Sequence, residues 1–262
     1  MPEARLVAFR GGGFAPRPRR VAAWVALVVV LALWQGAVSA GLVSAAFLPS
    51  PWSIVVALQA LAVSGELWRD VSISLWRIVS GWALGTVAGL ALGIAMGVYS
   101  RLRAVGLPFV SALFPIPKIA LLPLLILWLG IGEPSKIATI ALGVFFPTVI
   151  AAFSGVDGVP RGLIHMAQSF ELPVTAILTK IVVPGALPSI IAGFRVSAAT
   201  ALLLVVAAEM IGAQRGIGAF VNTAGNLMQT DRLMAGVVVL AMLGLMIGWA
   251  LSLVERRLLR WR

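Results

Sequence analysis

Residues 155–188 read GVDGVPRGLIHMAQSFELPVTAILTKIVVPGALP, a semi-polar stretch set between two strongly apolar ones at 137–156 and 189–212. Pro160 suits the first turn of a helix, and Leu163, Ile164, Met166, Ala167 and Phe170 recur at helical spacing to give one apolar face. Glu171-Leu172-Pro173 breaks that helix, and a second is expected from about residue 174 to 183, stopping at Pro184, with Pro188 opening the next apolar run. The first helix, at about 11 residues and ~16 Å, is too short to cross a bilayer. It also lacks the basic polar face of a helix that lies on a membrane surface. Two readings remain open from pattern alone: a knob for a groove on another protein, or a helix resting on the base of its own bundle.

The stretch stands out because so much of the chain is apolar. Hydrophobic residues make up 61% of 262 and charged residues 11%, where a soluble domain is closer to half and a quarter; mean hydropathy is +1.05. Apolar runs with few or no charges occupy residues 21–48, 78–100, 104–132, 137–156, 189–212 and 233–254, the fifth holding Arg195 near its start and Glu209 near its end, and about 20 apolar residues suffice for a spanning helix. Pro108, Pro115, Pro117 and Lys118 interrupt the third run, which predicts a kinked or partly re-entrant helix. The expected fold is all-α: a polytopic membrane protein of about six transmembrane helices forming one domain over 21–262, after a flexible basic tail over 1–20. Gly11-Gly12-Gly13 in that tail is no phosphate loop, since no Gly-Lys-Ser/Thr follows. The absence of cysteine excludes disulfides and thiolate metal sites, and the single histidine, His165, excludes a multi-histidine site.

Six spans put both termini on one side. That side carries thirteen basic residues, in the two tails and at Arg101, Arg103, Arg161 and Lys180. The other carries Arg69, Arg77, Lys136, Arg215 and Arg232, offset by Glu66, Asp70, Glu133 and Asp231. Positive loops stay in the cytoplasm, so the termini and the 155–188 loop are expected there. The net charge of +11 is thus a topology signal rather than a nucleic-acid footprint. The first run, ending near Val38-Ser39-Ala40, also has the outline of a cleavable signal peptide, but its length favours a retained anchor. A connection over 41–75 is expected to hold a short interfacial helix at 52–61, with Trp68 and Trp76 in an aromatic belt.

Within the second run Gly81, Gly85, Gly89, Gly93 and Gly97 repeat strictly by four. Such a small-residue stripe lets another backbone approach closely, either within the subunit or across a dimer seam. Ionisable groups inside the membrane are functional suspects. Glu209 is a candidate gate or pathway residue, or a brace for the adjoining loop; Lys118 lines a pathway or its cytoplasmic mouth. Ser197, Thr200 and Ala201 give the fifth run a small, partly polar face for lining or packing. Asn222, Asn226 and Gln229 are expected in a loop, facing a partner or solvent.

The loop resembles the signature loop of binding-protein-dependent ABC importer permeases: Glu-Ala-Ala, three residues, Gly, nine residues, Ile, one residue, Leu-Pro. Here the same positions hold His165-Met166-Ala167, then Glu171, then Ile181, Val182 and Val183-Pro184. Further segments are similar to the nitrate/sulfonate/taurine branch: Leu48-Pro49-Ser50-Pro51, Ser74-Leu75-Trp76-Arg77, residues 115–124 (PIPKIALLPL) and 128–133 (WLGIGE), residues 184–195 (PGALPSIIAGFR), Ala208-Glu209-Met210 and Gly216-Ile217-Gly218. The resemblance implies a permease subunit in the bacterial inner membrane that binds no cofactor and is not itself an enzyme. It further implies a second permease copy, two cytoplasmic ATPases holding ATP-Mg, an extracytoplasmic solute-binding protein, and a small, mostly anionic or heterocyclic solute. Arg161, Leu163, Ile164, His165, Met166, Ala167, Phe170, Glu171 and Pro173 would couple to the ATPase. Glu171 in place of glycine puts the turn in question, with Pro173 a possible substitute break. The rival class is an ion-coupled secondary transporter or channel, which generally needs midplane carboxylates; only Glu209 is available. No Ser/His pair, His/Glu cluster or paired intramembrane carboxylate supports an enzyme.

Overall fold

A computed structural model describes residues 20–259, and among these every regular element is helical. The helices are α1 (Arg20–Ser39), α2 (Pro51–Val63), α3 (Glu66–Val98), α4 (Ser100–Leu113), α5 (Leu122–Leu129), α6 (Glu133–Asp157), α7 (Arg161–Ser169), α8 (Val174–Ile177), α9 (Val183–Gly212), α10 (Ile217–Asn226) and α11 (Thr230–Leu258). The tail over 1–19 lies outside the described residues.

The centre of the bundle is α6, held between α3 and α9. The five-glycine stripe of α3 lies directly on it. A Cβ at Gly85 would stand 2.4 Å from the Ala141 carbonyl oxygen, one at Gly93 2.6 Å from that of Val149, and one at Gly97 2.5 Å from Val156 Cγ1. The two helices therefore touch backbone to backbone along their length, within one subunit. On the other face of α6, a Cβ at Gly193 would sit 2.2 Å from Ala151 Cβ, and one at Gly155 2.9 Å from the Ala186 carbonyl oxygen. Ile78, Ile140, Val144, Ala201 and Val205 fill the space where the three helices meet.

Four helical stretches are long and apolar enough to span a membrane: Glu66–Val98, Glu133–Asp157, Val174–Gly212 and Thr230–Leu258. Ser100–Leu113 with Lys118–Leu129 makes a fifth, bent by 88°. The bend follows from Pro115 and Pro117 together with the Lys118 ammonium, which donates to the carbonyl oxygens of Leu113, Phe114 and Ile116 at 2.7, 3.1 and 2.7 Å. These carbonyls lie at and just beyond the end of α4, where a helix leaves its last acceptors without helical donors; that of Leu113 also accepts the Ile116 amide at 3.3 Å. The same ammonium lies 4.4 Å above the Phe146 ring. The 20-residue α1 stands apart on the flank and touches chiefly α2.

Several boundaries differ from the sequence expectation. The first apolar run stays helical only to Ser39, and Gly41 turns the chain at φ +72. The second span begins at Glu66, so Trp68 belongs to a helix and not to the expected 41–75 connection. Its charged first turns look like loop in a hydropathy profile, yet Glu66 pairs with Arg232, Asp70 accepts from the Gly216 amide, and Arg77 pairs with Glu133 and Glu209. Asn222 and Asn226 belong to α10, packed against α9 and α11. The second helix of the 155–188 loop does not stop at Pro184. It runs through a π turn at Leu178–Val182 into α9. The wider π turn gives the Pro184 ring room against the preceding carbonyls, which a regular α-turn would not.

At Gly85 the two nearest atoms are the Ala141 carbonyl oxygen and Cα, backbone atoms that cannot swing aside. Gly85→Ala should therefore destabilise the fold by about 1–3 kcal/mol. Gly248→Ala, inside α11 at a position with open space around it, should instead raise stability slightly, by up to about 1 kcal/mol. Unfolding titrations of the purified permease in mild detergent compare the two.

Candidate functional site

Because α6 runs from Glu133 to Asp157, ~37 Å at 1.5 Å per residue, it separates two polar constructions at opposite ends of the bundle.

At its C-terminal end lies α7. Ala167 is buried and Ile164 half-buried, and both rest on a cluster of Ala152, Val156, Ile177, Val182, Ala186 and Ile190. Leu163, Met166 and Phe170 are 45%, 51% and 73% exposed; at i, i+3 and i+7 they form a single outward ridge. One apolar stripe is thus divided, half seating the helix and half left free. The turn that follows ties down its end: the Leu172 amide donates to the Ala167 carbonyl (3.2 Å) and the Glu171 amide to that of Gln168 (2.9 Å), the paired bonds of a Schellman motif. Glu171 occupies the left-handed position at φ +53, where glycine is favoured. The glycine of the resemblance's signature is therefore replaced without loss of its backbone shape. Pro173 opens α8, its carbonyl accepting from Ala176 and Ile177. Arg161 and His165 are exposed beside the ridge, and His165 Nδ1 is 3.3 Å from Gln168 Oε1. An Arg103–Asp157 ion pair at 2.7 Å joins α4 to the end of α6 nearby.

At the N-terminal end of α6 a buried ionic network replaces the glycine groove. Glu209 and Arg77 are 1% and 3% exposed. Arg77 Nη1 donates to Glu209 Oε1 (2.7 Å) and to the Arg215 carbonyl (2.8 Å), while its Nε and Nη2 hold both oxygens of Glu133 at 2.7 and 2.5 Å. Three successive amides at the start of α10 meet side chains: Gly216 N–H donates to Asp70 (3.0 Å), Ile217 N–H to Ser74 Oγ (2.9 Å), and Gly218 N–H to Glu209 Oε2 (2.8 Å). Ser74 Oγ also donates to Glu209 at 2.8 Å. Gly216 adopts φ +120 with the Glu209 carboxylate against it, so both the backbone angle and the space call for glycine. The arrangement satisfies the free amides of a helix start with carboxylate and hydroxyl acceptors, favoured there by the helix dipole.

The residues proposed for a pathway are not brought together. Ser197 is fully buried, accepting from Trp82 Nε1 at 3.0 Å and donating to the Phe194 carbonyl. Thr200, half-buried, bonds back to Val196 at 2.9 Å. Glu209 and Lys118 serve the contacts described above. Asp70, Ser74, Arg77 and Glu133 were not singled out as site residues from sequence. Their signal was present, because Asp70, Ser74 and Arg77 extend the 81–97 glycine stripe backwards at intervals of four and three on the same helical face.

A family model described as "Binding-protein-dependent transport system inner membrane component" matches residues 85–260. The chain is 38% identical over 89% of its length to the permease protein SsuC of Bacillus subtilis (strain 168), named for aliphatic sulfonates transport, covering 85% of that protein. It is 34% identical over 90% of its length to the taurine transport system permease protein TauC of Escherichia coli (strain K12), covering 87% of it. An inward-facing structure of the MetNI methionine ABC transporter shares the fold, with a TM-score of 0.62 and 21% identity over 80% of this chain and 98% of that one. The chain belongs to the inner-membrane components of binding-protein-dependent transport systems. It is a multi-pass ABC importer permease of the sulfonate/taurine branch.

Two substitutions probe the two ends. Arg77→Met leaves Glu209 buried without its counter-ion and should cost about 3–5 kcal/mol, with Arg77→Met/Glu209→Gln recovering part of the loss in a double-mutant cycle. Glu171→Gly should stabilise the turn by about 0.5–1 kcal/mol, the left-handed strain relieved less the added chain entropy, read as slower amide exchange over 161–172.

Proposed function

We propose that this permease imports small organosulfonates, of the taurine or aliphatic sulfonate type, as half of a pair of identical copies. Two cytoplasmic ATPases carrying ATP-Mg bind the α7 end, and an extracytoplasmic solute-binding protein docks at the opposite end. Both termini and α7 face the cytoplasm, the lipid-facing surfaces being the exposed apolar flanks of α1 and α11. The names of the relatives and the excess of basic residues on the α7 side support this orientation and substrate class.

The observation that carries the coupling role is the exposed ridge Leu163–Met166–Phe170 on a helix whose other side is seated in the bundle. A partner's groove would accept that ridge as an amphipathic helix is accepted elsewhere. The cluster beneath α7 includes Leu90, Ile94 and Val98 of α3, Val156 of α6, and Ala186 and Ile190 of α9. Movement imposed on α7 by ATPase closure thus reaches all three central helices, switching the pathway from inward- to outward-facing. The carrier alternative loses its one candidate carboxylate, since both oxygens of Glu209 are taken by Arg77, Ser74 and Gly218.

Phe170→Asp should abolish capture of the partner ATPase while leaving expression, insertion and thermal stability unchanged, because the side chain is 73% exposed. Co-purification followed by ATP turnover in nanodiscs with binding protein and taurine reads both. Normal capture by the variant removes α7 from the coupling role.

A further inference from the structure

The ionic network at the α10 end leaves one cation out. Lys136, on the first turn of α6, is 5% exposed, and its ammonium donates only to the Gly132 carbonyl, at 2.9 Å. It makes no salt bridge among the described residues. An ammonium has three donors, and a buried cation without a counter-ion is costly to keep. The nearby carboxylates are already committed: Arg77 holds both oxygens of Glu133 and one of Glu209. Lys136 lines a cavity of about 630 Å³ whose wall also includes Trp76, Arg77, Ile131, Glu133 and Arg215. That volume suits a small organic molecule. Arg215 is anchored through its carbonyl by Arg77, while its exposed side chain forms no ion pair among the described residues. Trp76 and Ile131, 64% and 85% exposed, add apolar surface to the wall.

We propose that this cavity is an anion-receiving subsite, in which Lys136 donates to the oxyanion of a small organic sulfonate and Arg215 draws it in, while Trp76 and Ile131 cover the carbon chain. The positive end of the 25-residue α6, which starts at Glu133, adds to the same attraction. Several acceptor oxygens sharing one charge match an ammonium with two unused donors beside a second cation. The substrate reading above supplies the sulfonate. The site itself rests on the unpaired Lys136 and its cavity. In the proposed orientation it lies on the extracytoplasmic side, where solute leaves the binding protein.

The test uses the permease–ATPase complex in phosphatidylcholine nanodiscs and radiolabelled 1-propanesulfonate, with 1-propanol as uncharged competitor. Saturable binding is expected, unaffected by 1-propanol, and weakened about tenfold or more by Lys136→Met. Lys136→Arg should retain most of it, and Arg215→Gln should lower it less than Lys136→Met does. In the wild-type complex, 1-propanesulfonate should also slow reductive methylation of Lys136, a readout that does not depend on how well the variants fold. Equal binding by wild type and Lys136→Met, or unprotected methylation, overturns the subsite. So does protection that appears only when phosphatidylglycerol replaces phosphatidylcholine, which assigns the cation to a lipid phosphate. Solute-driven ATP turnover separates the two readings. Turnover with taurine but no Lys136-dependent binding removes the subsite alone, and Lys136-dependent binding without sulfonate-driven turnover removes the substrate class alone.

Discussion

The contact between α3 and α6 is the constraint on which the rest of the molecule depends. Apolar side chains gain little from meeting one another in lipid, so helices there associate through close van der Waals fit. Five glycines on one face of α3 bring its backbone against the carbonyls of Ala141, Phe145 and Val149. Glycine weakens an isolated helix by about 1 kcal/mol per position against alanine; here the contact area gained offsets it. With Gly155 and Gly193 doing the same between α6 and α9, three long helices become one slab.

That slab determines what its ends can do. Toward the start of α3 the glycines give way to Arg77, Ser74 and Asp70 on the same face, and close packing gives way to hydrogen bonding. The network grips Glu133 of α6, Glu209 of α9 and the first amides of α10, so the end of the bundle is joined by charge where its middle is joined by shape. At the other end α7 rests on residues contributed by α3, α6 and α9. A force applied to α7 therefore meets three helices that are already tied together.

Much of this was legible in residue order. The apolar runs, the proline-broken segment that bends by 88°, the short amphipathic helix after Pro160 and the glycine periodicity all stand in local sequence. Helix limits were less so. Glu66, Arg69 and Asp70 read as a connection because hydropathy scores each residue against lipid, whereas in the fold Glu66 pairs with Arg232 and Asp70 accepts from the Gly216 amide. Pro184 read as a stop because a proline removes a helical donor, yet the preceding π turn lets the helix continue. Lys118 and Glu209 were marked as unusual charges, but their partners, three backbone carbonyls in one case and an arginine 132 positions away in the other, could not be inferred from either residue alone.

What the sequence by itself determined is the all-helical membrane class, the family, the location of the α7 loop and the face of α3 that had to pack tightly. Each is a local periodicity or composition, repeated within one helix or one loop. Only the tertiary structure decided that the glycine stripe closes within the subunit, that α7 divides its apolar stripe between seat and free ridge, and that Lys136 is left without an ion-pair partner beside a cavity. These depend on which side chains from distant segments share a space, and pairing at short range between residues far apart in the chain leaves no periodic trace in either segment.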